Sequence, residues 1–390
     1  MKLFFKLVVF IVPLQLFAQF EQSEQSETYQ LGGYAKYLYS KVDNPAIGRV
    51  NDHIVHSRIN SKYFFTEGIT VTAELRNRIF IGGSVEQTPN FLSTIESDHD
   101  FGNADIVWWN THSFVAHSEV DRLYVDATHE QFQMTFGRQR IAWGTALVWN
   151  PTDLFNPLSI LDFDYEERPG VDAIRAQYFM SEVSKIEIAV KPGKTTSRRI
   201  LAGKILLNQW NYDFHILGGI HGENLFFGIE WAGDIEGAGF RGEIASKKIS
   251  KEAKKMFPVL SASWATTVVL SADYTFTNNT YIHTEALLND QGVTDNASTF
   301  LPASLSLGLL SPARWSLFQE LSFDAHPLVR VSGFIIYNPN DRSSAMVPSA
   351  TWSVIENVDV SFFGLIFSGK PQTEYGGYGR SFFVRGKYSF

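Results

Sequence analysis

The 390-residue chain has no cysteine, which excludes a disulfide framework and thiolate metal sites and suits a chain exported in an unfolded state. It has no basic tail and no clustered basic helix. With 33 Lys and Arg against 41 Asp and Glu, its net charge is -8, so nucleic acid is not expected as a partner. Beyond the N-terminus it lacks an uncharged apolar run of transmembrane-helix length. The nearest, 257–272, is interrupted by Ser and Thr. Mean hydropathy is only -0.09, although 14% of the residues are aromatic, with 32 Phe and 15 Tyr. A soluble core this rich in Phe would show apolar blocks or helical stripes; here apolar and polar residues alternate.

The N-terminus reads as an export signal. Lys2 and Lys6 precede an apolar run from Leu7 to Phe17, and Ala18 offers a cleavage point before Gln19. Removing residues 1–18 takes the net charge from -8 to -10. Residues 19–28 read as a periplasmic lead-in, and 29–390 as a single domain.

That domain reads as strands. In the hairpin from Val55 to Ile81, Val55, Ser57, Ile59, Ser61 and Tyr63 share one face. His56, Arg58, Asn60 and Lys62 share the other. On the return, Ile69, Val71, Ala73, Leu75, Ile79 and Ile81 oppose Thr70, Thr72, Glu74, Arg76 and Arg78. Period two places successive side chains on opposite faces, one for water and one for a greasy surface. The pattern returns at 185–190, 238–244, 270–276 and 329–337, in strands long enough to cross a bilayer at a tilt. Short turns near 66–68, 128–131, 181–183, 208–211, 232–235, 277–280, 324–327 and 355–357 alternate with longer loops at 41–52, 83–117, 143–168, 247–258, 289–300, 339–345 and 368–376. The stretch 300–323 reads as one long strand or two.

The expectation is an all-β fold: a single transmembrane antiparallel β-barrel in the cell outer membrane. It would have about eighteen strands, with sixteen as the alternative count, and its outer face would meet outer-membrane lipid. The final strand alternates Phe382, Val384, Tyr388 and Phe390 with Ser381, Arg385, Lys387 and Ser389. It resembles the terminal strand of Gram-negative outer-membrane proteins, which the barrel-insertion machinery reads.

The stretch GRQRIAWGTALVWNPTDLFNPL, 137–158, breaks the pattern. Phe132, Met134 and Phe136 form an apolar face, and strict alternation would put Arg138 and Arg140 on lipid, at about 2–4 kcal/mol each at mid-membrane. A bulge at Gly137 would turn both arginines inward and Ile141 and Trp143 outward, with Trp143 at the aromatic girdle. Loop 143–168 is apolar and stiffened by Pro151 and Pro157. It is expected to fold into the lumen, with capping of the outer rim as the alternative, and to bring Asp153, Glu166, Glu167 and Arg168 near Arg138, Arg140 and Arg175.

The elements Gly137-Arg138-Gln139, Trp143-Gly144, Asn150-Pro151-x-Asp153 and Arg168-x-Gly170 together resemble a porin-like outer-membrane β-barrel family of Gram-negative bacteria. The resemblance implies passage of a solute rather than a known reaction.

Three functions follow in order of preference. The first is a channel for small polar solutes, lined by Arg58, Lys62, Glu74, Arg76, Arg78, Arg138, Arg140, Asp153, Glu166, Glu167, Arg168 and Arg175, whose mixed charges make a transverse field. The second is a surface binding or assembly protein with a filled lumen, using Asp98, His99, Asp100, Asp105, Trp108 and Trp109. The third is an outer-membrane hydrolase using His283 and Glu285, a pair that reads more simply as a satisfied polar contact. No catalytic residue, metal or cofactor is assigned, and the oligomeric state is left open.

Overall fold

The structure, a computed structural model, describes residues 28–45, 48–96, 102–156, 167 and 169–390. The expected signal segment, nearly all of the lead-in, and Asp98, His99, Asp100, Pro157, Glu166 and Arg168 lie outside them.

The strands in chain order are β1 (Tyr29–Asn44), β2 (Gly48–Thr66), β3 (Ile69–Gly82), β4 (Asp105–Asn110), β5 (Phe114–His129), β6 (Phe132–Gln139), β7 (Val171–Ser181), β8 (Ser184–Lys191), β9 (Ile200–Gln209) and β10 (Tyr212–His221). They continue as β11 (Asn224–Ile235), β12 (Ala238–Lys248), β13 (Trp264–Thr275), β14 (Tyr281–Asn289), β15 (Trp315–His326), β16 (Val329–Asn338), β17 (Ser343–Ile355), β18 (Val358–Ser368) and β19 (Arg380–Ser389). All except β4 form a closed antiparallel barrel of 18 strands, each paired with its neighbours in the chain and sealed by β1 against β19. At the seal, Gly33 and Phe390 exchange backbone hydrogen bonds of 2.8 and 3.0 Å. Closure leaves no open edge in the wall, which is the condition for a sheet in hydrocarbon.

Seven of the eight short turns expected from the sequence overlap the observed ones, and the eighth, expected at 232–235, falls instead at 236–237 after β11; all eight lie at one end of the barrel. Outward positions carry exposed apolar residues all round, among them Phe132, Phe136, Ile216, Phe227, Leu270, Phe362 and Phe382. A closed barrel with such a belt is a structure of the bacterial outer membrane.

Three segments depart from expectation. The expected loop 41–52 is instead the continuation of β1 and β2, which stay paired to Asn44↔Gly48. Their polar residues mark strand that rises above the lipid, not a break in the ladder. The stretch expected as strand at 300–307 belongs to a helix, Ala297–Leu307. It buries Phe300, Ala303, Ser304 and Leu307 at three- and four-residue steps, against Ile249 and Leu260 of the neighbouring loop. Loop 83–117 contains two short helices, Gly83–Gln87 and Phe91–Ile95, and the extra strand β4.

β4 repairs the wall. β6 covers only Leu123–His129 of β5 and ends at Gln139; above it, β4 takes the same edge, pairing Asp105↔Glu119 and Val107↔His117. The chain after Gln139 is thereby released from the wall.

The expected bulge at Gly137 is absent. β6 keeps register with both neighbours across Gly137, and the shift lies one strand away, where Asp121 of β5 is extra opposite Glu74 and Leu75. Gly137 instead has φ 118, where a side chain is strained, and a Cβ there would collide with the Leu123 carbonyl. Gly137→Val should therefore lower barrel stability by about 1–3 kcal/mol. The readout is the temperature at which the folded, heat-modifiable band disappears on a gel; an unchanged midpoint would contradict the assignment.

Candidate functional site

The chain leaving β6 turns into the barrel. Ile141 and Trp143 are fully buried among inward residues of β7–β12, including Val171, Ala189, Leu217 and Phe226. The Trp143 indole donates to Glu187 Oε1 at 2.8 Å, meets the Phe155 ring edge-on at 5.0 Å, and has Lys204 Nζ 5.4 Å from its centroid. The expected place of Trp143 in the outer girdle is thus corrected. Outward-inward parity ends where β6 leaves the sheet, so the residues beyond 139 no longer follow it.

From Gly144 to Trp149, every backbone N–H is taken by a wall carboxylate. Gly144 N donates to Glu230 at 3.1 Å. Thr145 N and Ala146 N donate to Glu243 at 2.7 and 2.8 Å. Leu147, Val148 and Trp149 N donate to Glu285 at 3.3, 3.3 and 2.7 Å. Glu243 also accepts from Asn150 Nδ2 at 3.0 Å, Thr152 N at 3.2 Å and Thr152 Oγ1 at 2.6 Å.

Local sequence shapes this run. Gly144 has φ 96 and packs on Asn150, where a Cβ would lie 2.7 Å from the Asn150 Cβ. Asn150 Nδ2 closes the turn on the Ala146 carbonyl at 2.6 Å, and Pro151 has no N–H to satisfy. Asp153 Oδ1 accepts from Phe155 N and Asn156 N at 3.1 and 2.9 Å, ending the turn. Ala146, Val148 and Trp149 pack on Val269, Leu287, Phe318 and Ile336, the wall beyond the one that holds Trp143.

Glu230, Glu243 and Glu285 are each 0% exposed, and Glu230 stands directly opposite Glu243 across β11 and β12. Like charges in that position repel. Here the loop's amides supply the compensating positive ends of their dipoles, as an anion-binding run of N–H groups does. His215 Nδ1 also contacts Glu230. His283 lies 3.4 Å from Glu285 and 3.0 Å from Ser271 Oγ, so this pair serves as a scaffold for the loop.

The other wall carries an ionic knot. Arg58 of β2 contacts Glu74 and Asp121, and reaches Glu167 at 2.9 Å; Arg122 reaches Glu74 at 3.2 Å and Glu167 at 3.6 Å. Arg76 pairs with Glu119, and Arg78 Nη2 donates to the Ile95 carbonyl at 2.9 Å. Lys62 and Glu74 line the turn-side mouth with Asn60.

Of the loop acids expected near Arg138, Arg140 and Arg175, Glu166 lies outside the described residues, as does Arg168. Arg138 is buried against Asp172 at 2.9 Å and the Gly102 carbonyl at 2.7 Å. Arg175 pairs with Glu187 at 2.9 Å, Arg140 is exposed past the end of β6, and Asp153 serves its own turn. Glu167 joins a basic cluster made of Arg58 and Arg122. Of the loop 83–117 candidates, Asp105 is held by His117 at 2.6 Å and the Trp108 indole by Ser118 at 2.7 Å. Both are internal contacts of the wall.

Glu230, Glu187 and Asp121 were missed in the sequence. Glu230 and Glu187 have a legible signal: each is an acid on the inward face of an alternating strand, Glu187 between Lys185 and Lys191 and Glu230 four residues before Asp234.

These features define a porin-like outer-membrane β-barrel. No family model matches the chain, and no curated protein matches it in sequence. Solved structures do match in fold. OccAB3 of Acinetobacter baumannii aligns over 93% of this chain and 99% of its own, at 7% identity and a TM-score of 0.60. OccK11 (OpdR) of Pseudomonas aeruginosa aligns over 93% and 96%, at 8% identity and a TM-score of 0.57. OmpF of Salmonella typhi aligns over 93% and 97%, at 12% identity and a TM-score of 0.50.

Two predictions follow from this geometry. Glu243→Ala leaves five buried donors without their acceptor, each bond to a charged group being worth about 1.5–3 kcal/mol. Amide hydrogen exchange at 144–152 should accelerate about tenfold or more while the wall strands stay protected; unchanged exchange would contradict the account.

The second concerns the loop-side mouth. There Glu374 accepts from Ser311 Oγ at 2.8 Å and Asn338 Nδ2 at 3.0 Å, and burial pushes its carboxyl from 4.5 up to about 7. A raised native pKa means that the folded state holds the proton more tightly. The stabilisation is full below about 4.5 and is lost as pH rises through about 7. Amide hydrogen exchange at 372–376, corrected for the intrinsic pH dependence of exchange, should therefore be less protected at pH 8.5 than at pH 6, and Glu374→Gln should remove the difference.

Proposed function

We propose that this protein is a passive outer-membrane channel for small polar solutes, narrowed by segment 143–168. The observation that carries the reading is the continuous set of N–H bonds from Gly144–Trp149 to three buried wall glutamates. A segment anchored along the inner wall takes cross-section from the lumen without closing the barrel. What remains is bounded on one side by the loop and on the other by the Arg58, Arg76, Arg78 and Arg122 wall with its acids. A mixed ionic wall of this kind favours polar solutes over apolar ones. In this reading Lys62, Arg78 and Glu167 border the path, and the buried Arg58, Glu74 and Arg76 set the charge of the wall behind them. Arg138 and Asp153 are structural, holding the wall seam and the turn.

No catalytic role is assigned, because the His283–Glu285 pair is committed to the loop's amides. The N-terminal segment 1–18 is read as an export signal. The closing strand β19, followed by Phe390, is read as the element offered to the insertion machinery.

The test is single-channel conductance of the refolded mature protein beside a variant lacking residues 147–161. Steady conductance in the wild type that rises in the variant supports a constricted channel. Silence from both, with a heat-modifiable barrel on a gel, would overturn the channel and leave a binding protein with a filled lumen.

A further inference from the structure

Behind the turn at Asn150–Leu154 lies a cavity of about 80 Å³. Three separate pieces enclose it: the turn itself, inward residues at the loop-side ends of β10–β13, and the end of the helix at Leu307–Leu310. At roughly 10–15 Å³ per water, it has room for several waters or one small ion.

Most of its polar lining is already engaged. Thr267 Oγ1 donates to Asn289 at 2.8 Å, and Asn150 Nδ2 is divided between Ala146 O and Glu243. Asp153 turns Oδ1 back to its own Phe155 and Asn156 amides. Lys247 is different. Its Nζ lies 3.5 Å from His221 Nδ1, and it forms no ion pair among the described residues. An ammonium can only donate, so His221 accepts at Nδ1 and keeps its proton on Nε2. The helix end at Gly308, whose Cβ position would be 3.6 Å from Nζ, brings partial negative charge of about half a unit, short of a full counter-charge.

We propose that this cavity binds a small monoanion, a halide or a single carboxylate group. Lys247 is its counter-charge, and His221 holds the ammonium in place. A half-buried cation in a small, partly enclosed space lowers its energy by taking up an anion. The site abuts the turn whose Asn150 and Thr152 Glu243 holds, so it sits where the loop meets the wall. It deepens the channel reading by naming the charge of a solute that would pause there, and rests on that reading for this step alone.

The test uses the full refolded barrel in crystals soaked with sodium bromide, with anomalous scattering as the readout. Wild type should show one bromide peak at Lys247 Nζ inside the cavity. Lys247→Met should lose it, and Lys247→Arg should retain it, with all three proteins heat-modifiable on a gel. Adding sodium acetate should lower the peak, which assigns the carboxylate group as well as the halide. An empty cavity in the wild type, or an undiminished peak in Lys247→Met, overturns the site. A peak that acetate leaves unchanged overturns the carboxylate assignment. A bromide peak in a barrel that conducts no current keeps the site and removes the channel.

Discussion

Everything inside this barrel depends on pairing buried carboxylates with the backbone of one loop. Glu230, Glu243 and Glu285 cannot stay ionised and buried on a bare wall, where two of them face each other. Taking a carboxylate out of water costs several kcal/mol unless well-placed donors replace the solvent. Segment 144–152 brings those donors, and in return its own amides need no water and no second strand. Each half is costly alone, and together they fix where the loop lies.

The wall makes that arrangement reachable. β6 stops at Gln139 after eight residues, and its place along β5 passes to β4. Arg138 staples the join, with one edge on Asp172 and another on the Gly102 carbonyl. The chain can therefore leave the sheet within the barrel without stranding the upper ladder of β5. Trp143 then docks at Glu187, and Trp149 docks two strand groups further round on Phe318, at 6.4 Å between rings. Between these two indoles the loop crosses from β8 to β15 on the inner wall.

The barrel was legible in the sequence because period two is a direct consequence of a wall with lipid on one side. Val55–Tyr63 and the strand ending at Phe390 show it without help from tertiary context. The turns were legible for the same reason, since a reversal between long alternating runs has few residues to hide in. What was not legible came from places where that two-sided solvent ends. Above the lipid, β1 and β2 continue with polar residues on both faces and look like loop. The helix at Ala297–Leu307 packs on other loops, and its Ser-rich apolar run fits strand and helix equally. Trp143 was misplaced because parity was carried past Gln139, where the chain is no longer wall; the Arg138 partner, Asp172, stands directly opposite it on β7, a cross-strand pairing that the sequence of β6 alone does not show. The partners of the loop were hidden for a further reason: Gly144–Trp149 engage Glu230, Glu243 and Glu285 through backbone amides, which no side-chain pattern reveals.

The central claim is that the loop held by these glutamates stands in the solute path, and the absence of cysteine makes it directly measurable. Leu147 lies between two anchored residues and is 48% exposed within the barrel. A single Leu147→Cys variant would be recorded in a planar bilayer while a charged, water-soluble thiol reagent is added. A stepwise fall in single-channel current on modification, absent in the cysteine-free parent, is the predicted result. Modification that is complete by mass and leaves the current unchanged would contradict it.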